Sequence, residues 1–319
     1  MRKIVAGVDI GGTNTVIGLV TQEGNCIAET SFPTQEDAQF EQFTNKIAAQ
    51  ILTLIEQQNN KYTILGVGIG APNGSYLTGQ IIDAANLRWK GTLNLCNNIE
   101  KALEVPVLLT NDANAAALGE MIFGDAVGMK NFVFITLGTG LGSGIVVDGK
   151  LLVGHTGFAG ELGHTNVKPW GRECGCGKRG CLETYVSAPG LRRTAFNLLS
   201  ESIEPSALRS YTYDSISSKT ISTLAQKGDR IAIDAFENTG AILGMKLADL
   251  VSILNPEAIF LFGGLSKAGN LIFEPTKRHM EKNLFPVFQN TVKILPSGLI
   301  DKNAAVLGAA ALIWQTQPE

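Results

Sequence analysis

Three of the chain's five cysteines and one of its three histidines fall between Glu161 and Tyr185, in the stretch ELGHTNVKPWGRECGCGKRGCLETY. Cys174, Cys176 and Cys181 have the spacing C-x-C-x4-C, and His164 precedes the first of them by ten positions. Thiolates and an imidazole are the donors that suit a tetrahedral zinc ion. Gly175, Gly177 and Gly180 would let the backbone turn through positive φ between the ligands. A Cys3His zinc knuckle on His164, Cys174, Cys176 and Cys181 is therefore the leading expectation. The other use of the same thiols is a disulfide with one thiol to spare. Reducing compartments disfavour that use, and no stretch has the form of a secretory signal peptide. Glu161 and Glu183 frame the loop. A metal on one ring nitrogen of His164 would fix what the loop presents and leave the other nitrogen to donate a hydrogen bond.

Three glycine turns carry a second kind of chemistry. Asp9-Ile10-Gly11-Gly12-Thr13-Asn14 brings backbone N–H groups, a hydroxyl and a carboxylate into one bend. Glycines let such amides converge on a phosphate, and an acid beside them suits a hydrated Mg²⁺. The run from Gly138 to Gly144 is the second turn, with Thr139 and Gly140 at its tip; Gly263-Gly264 is the third. The run from Gly138 fails as a dinucleotide fingerprint, because Ile145 to Lys150 continues it as a hairpin and not as a helix. No P-loop is present. Glycine-hydroxyl turns between strands suit a nucleotide held between two related domains. Asp112 falls where a strand gives way to a helix, which is where open α/β sheets bind ligands; an N-cap is the equally good structural reading. Asn86 is a candidate partner for a polyol, and Trp89 would either wall the same cleft or simply pack.

The elements that must hold these residues can be read from periodicity. Strands starting at Ile4, Val16 and Cys26 predict an antiparallel meander. Further strands are expected at Ile64 to Ile69, Val105 to Leu109, Phe132 to Leu137, Ala258 to Phe262 and Val292 to Leu295. Helices are expected over Phe40 to Gln58, Ala115 to Phe123, Ser187 to Leu199, Ile221 to Lys227, Ile231 to Ile253, Leu271 to Met280 and Asn303 to Trp314. Pro275 is placed in the first turn of its helix, and 201–218 is read as polar and irregular. Cys26 and Cys96 are expected to be buried.

A chain of 319 residues, 45% hydrophobic, can bury the cores of about two domains. Its net charge of -3 makes no electrostatic case for nucleic acid. No apolar run is long enough to span a bilayer. A cytoplasmic protein without a nucleic-acid or membrane partner is expected.

The motifs together resemble the ROK family of sugar kinases and repressors, within the actin-like ATPase superfamily. They are D-I-G-G-T at 9–13, N-D-A-N-A-A at 111–116, T-L-G-T-G-L-G-S-G at 136–144, E-L-G-H at 161–164, C-G-C-G-K-R-G-C-L-E at 174–183 and F-G-G at 262–264. The resemblance covers essentially the whole chain. It implies an α/β fold of two ribonuclease-H-like domains with a cleft between them and a small zinc-binding loop. The expected division is 1–122 with 302–319 against 123–301. It implies Asp112 as catalytic base, and Asn111, Glu161, His164 and Glu183, with Asn86, as sugar contacts. Asp9, Gly11, Gly12 and Thr13 would then serve Mg²⁺ and phosphate, Thr139 and Gly140 the phosphate tail, and Gly263 and Gly264 the nucleoside. The implied cofactors are structural Zn²⁺ and Mg²⁺ with ATP, and the implied partner is a second copy in a homodimer. Glucose is the expected sugar, with fructose, N-acetylglucosamine, N-acetylmannosamine and allose as alternatives. The competing class is a sugar-binding regulator. Repressors of the family carry a DNA-binding winged helix before the kinase-like part, and a first strand at Lys3 or Ile4 is expected to leave no room for one.

Overall fold

The structure is a computed structural model that describes residues 2–59, 61–300 and 302–317. The chain forms two compact units: Met1–Met129 with Lys150–Ala159 and Gly298–Glu319, and Lys130–Gly149 with Gly160–Ser297. The expected domain boundary at 301 lies outside the described residues.

In the first unit, β1 (Arg2–Ile10), β2 (Asn14–Val20) and β3 (Cys26–Pro33) form the expected antiparallel meander. Helix α1 (Phe40–Glu56) leads to β4 (Tyr62–Gly70), which lies parallel to β1. A short pair, β5 (Ile81–Ile82) and β6 (Thr92–Leu93), and helix α2 (Leu95–Leu103) were not legible in the sequence pattern. Strand β7 (Val107–Thr110) then extends the sheet, parallel to β4, giving the order β3-β2-β1-β4-β7. Phe43, Ile47 and Ile51 recur at helical spacing on α1 and are fully buried with Ile4, Val8, Ile17 and Ile69 of the strands. Each such burial is worth about 1.5–3 kcal/mol. Helix α3 (Asp112–Phe123) starts three residues before its expected beginning. Cys96 is buried as expected; Cys26, at the start of the edge strand β3, is exposed.

The second unit repeats the plan. Strands β8 (Phe132–Leu137) and β9 (Leu141–Val147) pair antiparallel across the glycine turn, and Asp148-Gly149 leads on to β10 (Lys150–Leu151). After the loop that carries the cysteines come α4 (Ala188–Glu201), α5 (Ser218–Gln226) and α6 (Arg230–Leu254). Strand β11 (Ala258–Phe262) lies parallel to β8, and after α7 (Asn270–Asn283) strand β12 (Lys293–Pro296) lies parallel to β11. Of the segment 201–218, Glu201 ends α4 and Ser218 begins α5; 202–217 is irregular except for a short 3-10 turn, Ala207–Ser210. Pro275 lies inside α7 and not in its first turn. The reason is tertiary: Gly240 of α6 leaves room for the ring, since a Cβ there would come within 2.7 Å of Pro275 Cγ.

Helix α8 (Ala304–Trp314) returns to the first sheet. It lies so close that a Cβ on Gly7 would collide with the carbonyl oxygen of Val306, and one on Gly68 with that of Ala309. Across its other side, a Cβ on Gly119 of α3 would sit 2.9 Å from Gly308 Cα. Glycines on β1 and β4 thus set the separation of helix and sheet, and Gly308 sets that of α8 and α3.

Candidate active site

The first unit brings two acids together. Asp9 pairs with Gly70, and Gly70 with Thr110, so the three stand in line at the C-terminal ends of β1, β4 and β7. Asn111 and Asp112 follow immediately. Gly70 lets α3 begin close above the sheet, as a Cβ there would lie 3.3 Å from Ala115 Cβ. Burial raises the Asp9 carboxyl to about 6, and the charge of Asp112 pushes it the same way. Asp112 is exposed, and its Oδ1 accepts a hydrogen bond from Ala113 N at 2.8 Å. The capping role belongs to Asn111, whose Oδ1 accepts from Asn114 N at 2.7 Å. The N-cap reading of Asp112 is therefore corrected: the carboxylate sits in the first turn of α3, where the helix end favours negative charge.

The Asp9 turn is tied to the loop that bears Asn86. Gln35 Nε2 donates to the carbonyls of Gly12 (2.6 Å) and Asn86 (3.1 Å). A Cβ on Gly12 would lie 3.5 Å from Asn86 Nδ2, so glycine lets the exposed Asn86 side chain approach the turn. Gly11 N donates to Asn14 O, and Thr13 O accepts from Thr34 N, leaving the Thr13 side chain exposed. Gln35 was not singled out in the sequence; an isolated glutamine in a loop carries no periodic or motif signal. Trp89 packs: it is buried, its ring centroid 4.8 Å from that of Phe43, and its Nε1 donates to Ala38 O.

In the second unit the four expected ligands converge. One donor atom from each of His164, Cys174, Cys176 and Cys181 lies within 4.8 Å of all the others. Cys176 Sγ and Cys181 Sγ are 3.7 Å apart, and Cys174 Sγ is 3.6 Å from His164 Nδ1. Zn–S bonds of about 2.3 Å at tetrahedral angles separate two sulfurs by about 3.7 Å, the spacing of Cys176 and Cys181. A disulfide needs about 2.05 Å between sulfurs, and all five cysteines are free. Gly177 (φ +86°) and Gly180 (φ +77°) make the turns as expected; Gly175 does not adopt positive φ. With Nδ1 facing Cys174, His164 Nε2 stands 3.8 Å from Glu161 Oε2.

Glu183 joins this cluster to the glycine turn of the same unit. Its Oε1 lies 3.1 Å from Cys174 Sγ and 3.7 Å from His164 Nδ1. Its Oε2 accepts weakly from Leu141 N at 3.4 Å, and a Cβ on Gly140 would come within 2.8 Å of that oxygen. Thr139, at the exposed tip, opens onto a cavity of about 370 Å³ lined also by Pro189, Arg192, Asp214 and Ser217. Arg192 stacks over the Tyr213 ring at 4.3 Å, and its Nε is buried without a hydrogen-bond partner among the described residues. Nothing in the polar stretch 201–218 marked it as part of a cavity, because its residues meet Thr139 only in the folded unit. Gly263 (φ +101°) lies against the end of β8, where a Cβ would meet Leu137 O at 2.6 Å, while Gly264 stands open. The turns at 138–140 and 263–264 are therefore neighbours at one end of the second sheet.

Two sheet-cored α/β units, one ending in paired acids and glycines and the other carrying a metal-competent loop, define the class of protein. A model of the ROK family matches residues 5–316. The chain belongs to the ROK family. It is 36% identical over 315 residues to the glucokinase of Halalkalibacterium halodurans, covering 98% of this chain and 95% of that protein. The crystal structure of a ROK family glucokinase from Streptomyces griseus, in complex with glucose and AMPPNP, superposes with a TM-score of 0.79 at 34% identity, covering 98% of this chain and 99% of that one. The xylose repressor of Caldicellulosiruptor bescii is 31% identical over 315 residues, covering 97% of this chain and 77% of that protein.

Proposed function

We propose that this chain is an ATP-dependent hexose kinase whose preferred substrate is glucose. The observation that carries the reading is the pair Asp9 and Asp112, one near the end of β1 and one at the start of α3 just after β7, held in different environments. The exposed Asp112 accepts the proton of the attacking sugar hydroxyl, a poor nucleophile without such a base. Half-buried Asp9, with Thr13, would hold a hydrated Mg²⁺, which would screen the phosphate charge. Amides of Gly11 and Gly12, with Thr139 and Gly140, line the phosphates, and Gly263, Gly264 and the cavity beside Arg192 take the nucleoside. Asn86, Asn111, Glu161, His164 and Glu183 order the sugar hydroxyls. Buried recognition of a polyol needs such a set, because each hydroxyl removed from water requires a partner. The sulfur-rich donor set supports zinc as the metal of the cluster, where it clamps the loop and leaves the chemistry to the acids. A homodimer in the cytoplasm is the inferred setting. Among the described residues no helix is long and apolar enough to cross a membrane.

A coupled assay of ATP-dependent phosphorylation over glucose, fructose, N-acetylglucosamine, N-acetylmannosamine and allose tests the reading. Turnover highest on glucose is expected; background rates on all five would reject kinase activity. The similarity to a xylose repressor favours one second reading, a sugar-binding regulator, for which that assay gives no turnover while calorimetric titration still shows sugar binding.

A further inference from the structure

The metal-competent donor set of the second unit reaches along the loop only as far as Cys181, two residues short of Glu183. Glu183 sits in a 3-10 turn, Leu182–Thr184, whose near end is held by Leu182 N donating to Thr165 O at 2.9 Å. The far end is held by a side chain outside the metal set. Arg172 Nη1 donates to the carbonyls of Thr184 (2.8 Å) and Gly190 (3.0 Å), and Nη2 donates to Thr194 Oγ1 (3.0 Å). The guanidinium lies over the Tyr185 ring, 4.4 Å from its centroid, and the tyrosine hydroxyl accepts from Arg172 N at 3.1 Å. Arg172 O in turn accepts from Gly180 N at 2.8 Å, next to the last cysteine ligand. One residue thus connects the cysteine loop, the turn that bears Glu183 and the first turns of α4.

We propose that Arg172 is a positioning residue for Glu183, a second clamp that works alongside the metal. All three acceptors of its guanidinium are neutral oxygens, one on the turn that bears Glu183 and two on α4, so the fork is used for geometry and not for charge neutralisation. A planar group with several fixed donors does this better than an ammonium, because its donor directions are set before the bonds form. Holding the Thr184 carbonyl fixes the direction in which the adjacent Glu183 side chain leaves the turn, toward Gly140 and Leu141. The consequence for the sugar rests on the reading of Glu183 as a sugar contact given above.

The test compares wild type with Arg172→Lys and Arg172→Ala, each checked for metal content. Arg172→Lys is expected to raise the KM for sugar about tenfold or more, with metal content unchanged and the KM for ATP within about twofold. In Arg172→Ala, millimolar guanidinium should restore much of the sugar affinity. An unchanged sugar KM in metal-loaded Arg172→Lys overturns the proposal, as does an equal rise in both KM values. Should Arg172→Ala fail to fold, the lysine variant decides alone. Calorimetric titration with glucose reads the clamp without turnover: weaker binding to the lysine variant supports it, and equal binding overturns it. Absence of turnover in wild type would instead reject the kinase reading.

Discussion

In the first unit the acids stand on regular elements. Asp9 stands near the end of β1 and Asp112 begins α3, and both are placed by strand register and by the glycines that let helices approach the sheet. In the second unit Glu161, His164 and Glu183 hang on a loop whose only regular pieces are short 3-10 turns. Backbone hydrogen bonds alone position such a loop poorly; a four-donor cluster able to hold a metal and the Arg172 fork are the cross-links it offers. The contrast is one of mechanism: where a side chain leaves a sheet edge, core packing fixes it, and where it leaves a loop, local cross-links must.

The comparison is broken most sharply by removing the base. Asp112→Asn should lower turnover by about 10²–10⁴-fold while leaving glucose binding within a few-fold, as read by steady-state kinetics and calorimetry. Retained turnover would mean that Asp112 is not the proton acceptor. Cys176→Ser should come next. Metal analysis is expected to fall from about one zinc per chain, with sugar affinity weakened by about 10–100-fold. If the second unit depends on its staple as argued, hydrogen exchange should rise across 161–185 while the β1–β4–β7 sheet stays protected.

A third test acts through pH. The folded Asp9 carboxyl is raised from its ordinary 3.8 to about 6. Below 3.8 both folded and unfolded chains hold the proton, and the group costs nothing. Between 3.8 and about 6 the unfolded chain gives up the proton while the folded chain keeps it, so stability is lost across that window and levels off once the folded carboxyl has ionised. Asp9→Asn should therefore stabilise the metal-free protein by up to about 3 kcal/mol above pH 7 and by nothing below pH 4, while abolishing its response to Mg²⁺. Denaturant titration at several pH values checks this; a pH-independent difference would remove Asp9 from its proposed environment. The smallest effect is expected of Gln35→Ala, which frees the Gly12 and Asn86 carbonyls. A loss of about 1 kcal/mol, seen as a several-fold rise in the KM for the nucleotide or sugar, is the expected outcome.

Much of the site was legible because its chemistry is carried by residue type at short range. Cys174, Cys176 and Cys181 announce a metal by spacing, and Gly11-Gly12 and Gly263-Gly264 announce close backbone approach. Residues that act through distant partners were silent. Gln35 bridges two loops that are far apart in sequence, Arg172 reaches forward to Thr194, and Arg192 lines a cavity with Thr139; none has a local pattern. Pro275 was misplaced for the same reason, since the room for its ring is made by Gly240 on another helix.

By itself, then, the sequence determined the two repeated α/β units, the donor set of the metal cluster and the glycine turns, because hydrophobic period and ligand chemistry are local properties. Tertiary structure alone decided that Asn111 and not Asp112 caps α3, that Asp9 is half-buried beside Asp112 with its carboxyl raised, and that Glu183 links the metal loop to Gly140. Those outcomes depend on which groups meet across sheet register and loop closure, and on how much water remains beside each charge.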